Sequence, residues 1–330
     1  MIDPRDETGF GLDDADFEPL GEFAPAGLAA TRLALGRAAR SARERRVPIA
    51  GAAVHMARDG RLTTIAVGTN GRIPGPEESG RGYPTDHGET ATVRQIEDVA
   101  AIEWDRVVFT TTLSPCIMCN HTLAYLHGLG LERVVVAESE SFGGTADDLT
   151  RLPGMQLLAL TNEDAVVMMK RFARTYPWDW NADIGLIPPG NPAEVERVAG
   201  DPRVASTACA TIRAETGDPP VAGCASAVIG PDGRLEATAV DARASRGGNP
   251  ALSAPMLAIG RAGSAVNLRD CVLVVTVPRP GDELSLARFG HASLGACKLF
   301  RPGVVLTDGI VAADLKAGLE GAGVRVLEAT

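Results

Sequence analysis

Apolar positions recur along this chain in two different periods, and the change from one to the other marks out its elements. Ala29 to Arg45 is rich in Ala, Leu and Arg, with Leu33, Ala34 and Leu35 among apolar positions that suit an amphipathic helix lying on a sheet. Two apolar runs follow, Val47 to Met56 and Leu62 to Val67, separated by Arg58-Asp59-Gly60-Arg61. Asp-Gly between such runs is a strong hairpin signal, so they read as paired strands. Val107 to Thr112, Val134 to Ala137 and Met155 to Leu160 are further short β-rich runs, separated by helical patterns over Thr90 to Ala101 and Cys116 to Leu126. Thr161-Asn162-Glu163-Asp164 reads as a helix start feeding Ala165 to Tyr176, and the unit closes on Pro177-Trp178-Asp179-Trp180. This alternation predicts an α/β layered domain.

The stretch from Gly185 to Arg203 holds Pro188, Pro189, Gly190, Pro192 and Pro202, with one helical turn expected over Glu194 to Val198, and it reads as a linker. Beyond it the chain repeats itself. Pro48-Ile49-Ala50-Gly51 recurs as Pro220-Val221-Ala222-Gly223, and Asp59-Gly60-Arg61-Leu62 as Asp232-Gly233-Arg234-Leu235, at offsets of 172 and 173. Asp148-Leu149 ahead of a strand has an echo in Asp314-Leu315 ahead of Val324 to Leu327. That period is far too long for a solenoid and points to a duplicated fold. The expected division is an acidic N-terminal tail over residues 1–27, a first domain over 28–185, the linker over 186–205 and a second repeat over 206–330.

Length agrees: 330 residues is about two domains. Hydrophobic residues at 45% and charged residues at 22% are globular proportions, and no run of eighteen uncharged apolar residues is present to span a bilayer. The net charge of −10 is concentrated in the first 22 residues, where eight acids face one base, Arg5. The remainder is close to neutral and offers no basic face for a phosphate backbone, so no nucleic-acid partner is expected. Without a basic start and apolar stretch at its N-terminus, the chain is expected to be cytoplasmic. In a reducing compartment its six cysteines do not form a disulfide scaffold, and a close pair there more often holds metal or does chemistry.

Such a pair exists. Thr85-Asp86-His87-Gly88-Glu89 is followed by Leu113-Ser114-Pro115-Cys116-Ile117-Met118-Cys119, a His-x-Glu ahead of a Pro-Cys-x-x-Cys. One imidazole and two thiolates supply three ligands for Zn²⁺ and leave a tetrahedral ion one open position, which is the catalytic arrangement rather than the structural one. Zinc brings the pKa of a water there towards neutrality. Glu89, two residues from His87, cannot easily ligate the same ion but can reach that water and carry its proton. Both half-motifs open helices, and helix N-termini favour thiolate over thiol. The order is the recognised zinc deaminase signature.

Residues 28 to 184 resemble the fungal-type cytosine deaminases of the cytidine deaminase superfamily. The likeness rests on Val47-Pro48-Ile49, Asn70, His87-Gly88-Glu89, Thr111-Thr112-Leu113-Ser114-Pro115-Cys116, Ser141-Phe142 and Asp179-Trp180 with Asp183-Ile184-Gly185, all in family order. It implies a three-layer α/β/α cytidine deaminase-like fold, here duplicated. It also implies zinc on His87, Cys116 and Cys119, with Glu89 passing a proton from the zinc water to the base ring and then to departing ammonia. By the same likeness Asn70 and Asp183 hydrogen-bond a pyrimidine, Gly88 and Ser114 contribute backbone groups, and Ile49, Phe142 and Trp180 enclose the ring. The implied reaction is hydrolytic deamination of a free nucleobase, cytosine first, with guanine or another amino-heterocycle as the alternative. A zinc-stabilised binding module is the reading from another class.

One departure is the Gly/Pro-rich stretch from Gly71 to Asp86, longer than the family pattern and so a candidate to reshape the pocket mouth. In the second repeat, Leu252 to Ile259 falls where Asp86 to Val93 does, so that Ser253 replaces the ligand and Pro255 the acid. Pro278-Arg279-Pro280-Gly281 is aligned with the Pro-Cys-x-x-Cys. No zinc is expected there, and Cys209, Cys224, Cys271 and Cys297 read as structural thiols. A repeat without ligands is expected to pack on the first as an internal pseudo-dimer, a further homodimer being the alternative.

Overall fold

The computed structural model of the chain describes residues 10–74, 82–188, 190–216, 223–279 and 281–328. The expected match at Pro220-Val221-Ala222, Pro280, Pro189 and the middle of the Gly71 to Asp86 stretch lie outside the described residues.

The first unit runs α1 (Ala24–Arg43), β1 (Ala50–Met56), β2 (Leu62–Thr69), α2 (Gly88–Arg94), β3 (Val107–Thr111), α3 (Ile117–Gly128), β4 (Arg133–Val136), β5 (Gln156–Ala159), α4 (Glu163–Thr175) and α5 (Pro177–Asp183). Its sheet has the order β2-β1-β3-β4-β5, antiparallel at the β1–β2 hairpin and β1–β3, parallel from β3 to β5. Strand period two divides the side chains between faces. Ala52, Val54, Val108 and Val135 meet α1, whose Ala26, Ala30 and Ala34 recur every four residues and let the helix lie close to the strands. Ala53, Phe109, Val134 and Val136 meet the opposite layer, where Val93 of α2 and Leu123 and Leu126 of α3 pack with Trp104. This is the expected three-layer α/β/α arrangement, and it puts both motif helices on one face.

The second unit continues with α6 (Pro192–Ala199), α7 (Pro202–Thr216), β6 (Ala225–Ile229), β7 (Leu235–Val240), α8 (Ala254–Ala262), β8 (Val272–Thr276), β9 (Glu283–Leu284), α9 (Leu286–Phe289), α10 (His291–Phe300), β10 (Val304–Thr307), β11 (Ile310–Val311), α11 (Ala313–Glu320) and β12 (Arg325–Glu328). Its five-stranded sheet has the order β7-β6-β8-β10-β12, with the same pattern of parallel and antiparallel pairs as the first. The second sheet therefore repeats the strand order and pairing of the first. Both Asp-Gly hairpins repeat in detail: Gly60 and Gly233 take positive φ, and Asp59 and Asp232 each accept from the backbone N–H two residues on.

Three sequence expectations change. Residues 10–27 are not a free acidic tail: Phe10, Phe17, Leu20 and Phe23 are buried, because the acids alternate with apolar residues that seal the α1 side of the sheet. The proline-rich stretch carries α6 and the start of α7, and Val195, Val198 and Ala199 join the core under the second sheet. Finally, the helix expected over Thr90 to Ala101 stops at Arg94, with a separate 3-10 turn at Val99–Ala101. Asn249, from the second unit, donates its Nδ2 to the carbonyls of Val93 and Ile96 and so ends α2 from outside. Leaving a buried carbonyl unpaired costs about 1–3 kcal/mol, enough for this distant cap to override a weak local helical pattern.

The two units share one core. Met118, Cys116 and Cys119 of the first belong to the same buried cluster as Phe289, Ala292, Leu294 and Phe300 of the second. α3 and α10 cross closely where Gly295 stands, since a Cβ there would fall 2.8 Å from the Cα of Met118. On either side of this crossing, Asn249 reaches α2, and Thr85 Oγ1 reaches the carbonyl of Met256 on α8.

Candidate active site

Two helix starts meet under the carboxyl end of β3. His87 precedes the first residue of α2, and Cys116 precedes that of α3, so Glu89 and Cys119 fall within the first turns. Gly88 permits this: a Cβ on it would sit 2.7 Å from the carbonyl carbon of Ala50, so only glycine lets α2 start hard against β1. His87 Nδ1 lies 3.4 Å from Cys116 Sγ, and Cys116 Sγ lies 3.6 Å from Cys119 Sγ. A tetrahedral Zn²⁺ with usual bond lengths separates such nitrogen and sulfur atoms by about 3.6 Å and two sulfurs by about 3.8 Å. All three ligand atoms lie within 4.8 Å of one another and are buried. The residues fit zinc.

The second face of the imidazole agrees. His87 Nε2 is buried without a hydrogen-bond partner but faces Asp183 Oδ1 at 3.5 Å, the place of the outer carboxylate that orients a metal-bound imidazole. Burial favours a neutral His87, yet Asp183, Cys116 and Glu89 outweigh it and hold the ring up at about 9. The surroundings call for a positive charge, and a divalent cation answers that demand. Burial and the Cys116 thiolate also push the Glu89 carboxyl above its ordinary value. Its Oε1 lies 2.9 Å from Thr111 Oγ1, and that hydroxyl lies 2.9 Å from the carbonyl of Leu113. One hydroxyl proton cannot serve both, so donation to Leu113 leaves the Thr111 oxygen free to accept from a protonated Glu89.

A narrow cleft opens beside this group. Ile49, Leu113, Ser114, Phe142, Trp180, Asp183 and Ile184 line it with His87, Glu89, Cys116 and Cys119, and its space is about 250 Å³ including the open mouth. Phe142 and Trp180 meet edge to face with centroids 5.7 Å apart, forming one wall. Ser114 is fixed from both sides, its N–H donating to Glu138 O and its hydroxyl to Gly143 O. Thus the structure brings nine of the eleven residues singled out in the sequence to one cleft. Gly88 and Asn70 stand behind it. Asn70 donates both bonds from Nδ2, at 2.8 and 3.0 Å, to the Asp183 carboxylate, and its own Oδ1 accepts from the Arg72 N–H.

Thr111, Leu113, Ile184, Arg72 and Phe300 were not singled out. The first three lie inside the quoted motifs. Arg72 is nearly buried, its Nε 4.0 Å from Asp183 Oδ1 and its Nη2 donating to Ala182 O. Phe300, 213 positions beyond His87, turns its ring edge to face that imidazole at 6.5 Å and also lies under Arg72. No local signal in the sequence marks it. The described ends of the Gly71 to Asp86 stretch run towards the second unit, with Ser264 holding both Arg72 O and Gly82 O.

In the second unit Ser253 caps α8 as His87 caps α2, with Pro255 two residues on. The helix in the place of α3 is α10, so Gly290 and Ser293, not Pro278 to Gly281, stand where Cys116 and Cys119 stand; the β8–α10 connection is simply longer. Ser253 and Ser293 share a 2.6 Å hydrogen bond. Arg243, at the position of Arg72, is bonded to Asp241 and to the carbonyls of Ala287 and Arg288, which with buried Phe289 fill the space.

Residues 28–138 match the model of the cytidine and deoxycytidylate deaminase zinc-binding region. A cytosine deaminase of Candida albicans is 30% identical over 99 residues, a match that covers 30% of this chain and 63% of the relative. The chain therefore spans less than two thirds of that relative's length. Among solved structures, a guanine deaminase from Nitrosomonas europaea is 18% identical with a TM-score of 0.31, over 50% of this chain and 95% of that one. A structure from work on A-to-I editing by tRNA:A34 deaminases is 18% identical with a TM-score of 0.31, over 43% and 99%. All six cysteines are free, and among the described residues no helix is long and apolar enough to cross a membrane.

Proposed function

We propose that this protein is a zinc-dependent hydrolase that deaminates a free nucleobase, cytosine first. The observation that carries the reading is the meeting, in one cleft, of a zinc-shaped His87-Cys116-Cys119 group, a buried Glu89 beside it, and a flat slot ending at Asp183. Zinc held there would polarise a water towards hydroxide near neutral pH. Glu89 takes a proton on one carboxylate oxygen and returns it to the substrate, its other hydrogen bonds keeping it aimed. Asp183, held in place by Asn70 with Arg72 beside it, accepts from the in-plane N–H groups of the base. Ile49, Phe142 and Trp180 hold the ring flat and exclude water, while Ser114 offers polar backbone at the slot floor.

The narrow slot favours a single ring over guanine, the alternative. Ammonia release measured with zinc on the same preparation tests this across cytosine, 5-methylcytosine, cytidine, guanine, adenine and aminotriazines. Ammonia from cytosine with about one zinc per chain is the expected result. Ammonia from guanine alone transfers the reading to the larger ring, and zinc without turnover on any of them favours the binding module.

The second unit belongs to this reading as an internal pseudo-dimer partner, inert itself, that covers α3 and backs His87 with Phe300. Its boundary is set at α6, with residues 28–185 as the deaminase domain; free thiols throughout suit a cytoplasmic location. A chain cut after Gly190 would expose Ile117, Met118 and Phe142 and is expected to aggregate or lose activity. A soluble, monomeric and fully active fragment would rule the partnership out.

A further inference from the structure

A second cavity, away from the base cleft, lies where α6, the turn before β8 and the end of α10 converge. It has about 780 Å³ of space including its open mouth and is lined by Arg269, Arg301 and Arg325, with Glu196 among the remaining residues. Glu196 bonds Arg325 at 2.7 Å and so cancels one charge. Arg269 and Arg301 have no carboxylate partner among the described residues. Asp270, next to Arg269, is committed elsewhere, accepting from the Asn191 N–H and from Asn267 Nδ2. Arg269 Nε is buried with nothing to bond, though Nη2 of the same guanidinium donates to Gly185 O. Burial and then the charge of Arg301 depress the Arg269 pKa.

Two guanidinium groups facing an open space are complementary to a compact dianion. We propose that this cavity binds a phosphate dianion, free or as a phosphomonoester, between Arg269 and Arg301, and that the bound anion is felt in the base cleft. Both arginines are one step from that cleft. Arg269 holds the carbonyl of Gly185, which follows Asp183 and Ile184, and Arg301 follows Phe300, whose ring faces His87. An anion drawing the two arginines together steadies the slot wall and the back of the metal group at once. It replaces a repulsion by bonds without touching any residue of the cleft.

The test uses the full zinc-loaded chain and calorimetric titration with inorganic phosphate and with ribose 5-phosphate, against chloride at matched ionic strength. Saturable heat is expected for at least one, tighter binding of ribose 5-phosphate assigning the phosphomonoester. Arg301→Gln and Arg269→Gln should each weaken it about tenfold or more, and Arg301→Lys less, because a charge-assisted bond to an anion is worth that much. Saturating phosphate should lower KM for the base in the wild-type chain and leave KM of Arg301→Gln unchanged. Absence of saturable heat, heat undiminished in both Gln variants, or heat that disappears when zinc is removed would overturn the site. Binding with no change in KM would overturn its link to the cleft. Because the titration reads heat and not turnover, it tests the site even in a chain that deaminates nothing on the substrate panel.

Discussion

Glu89→Gln is expected to keep about one zinc per chain while turnover falls by about 10²–10⁴-fold. Glutamine has the shape of the glutamate and leaves His87, Cys116 and Cys119 untouched. Its amide can still pair with Thr111 Oγ1 and lie against Cys119 Sγ, the two groups that flank the carboxylate. What it lacks is a site for the proton. Glu89 is almost wholly buried, at 2% exposure, so solvent cannot substitute as carrier at the same position. Zinc content and ammonia release on one preparation decide the matter. Unchanged turnover would end the acid–base role, and lost zinc would show Glu89 to be part of the metal's support.

Cys119→Ser should abolish turnover by a different route. A serine hydroxyl stays protonated where a thiol gives a thiolate, and zinc prefers sulfur or imidazole at such a position. Zinc is then expected well below one per chain after dialysis, with a fall of several degrees in thermal midpoint, since metal affinity is folding free energy when the site forms only on folding. A chelator should lower the wild-type midpoint by a similar amount and have no further effect on the variant. The loss is sharpened by the setting: without the ion, Asp183, Glu89 and Cys116 crowd the same buried space around His87. A Cys119→Ser chain with full zinc and wild-type turnover would remove this cysteine from the ligand set.

The metal group was legible in the sequence because its parts are local. His87-x-Glu89 and Cys116-x-x-Cys119 are each fixed by the first turn of one helix, so spacing alone carries geometry. The sheet was legible because buried strands such as Val107–Thr111 are short runs of β-branched and aromatic residues between helical patterns. Other features depend on residues far away in the chain. The length of α2 is set by Asn249, the aim of Asp183 by Asn70 and Arg72, and the back of His87 by Phe300. Charge misled at the N-terminus, where acids on the outer side of Phe17, Leu20 and Phe23 hide a buried stripe. Proline misled between the units, since Pro192 and Pro202 stand at helix starts, where the missing N–H costs nothing.

The crossing of α3 and α10 has a consequence for dilution. Where such a contact joins separate molecules, the fraction of complete sites falls as the protein is thinned out, and the metal group loses its cover with it. Here both helices belong to one covalent chain, so their mutual concentration is set by the connecting residues and not by the amount of protein in solution. Each molecule carries its own cover at any concentration. Covalent connection also frees the covering half from duplicating the working one: Gly295 and Phe300 can be shaped purely for fit, because no second copy of them must ever serve as ligand, acid or slot wall.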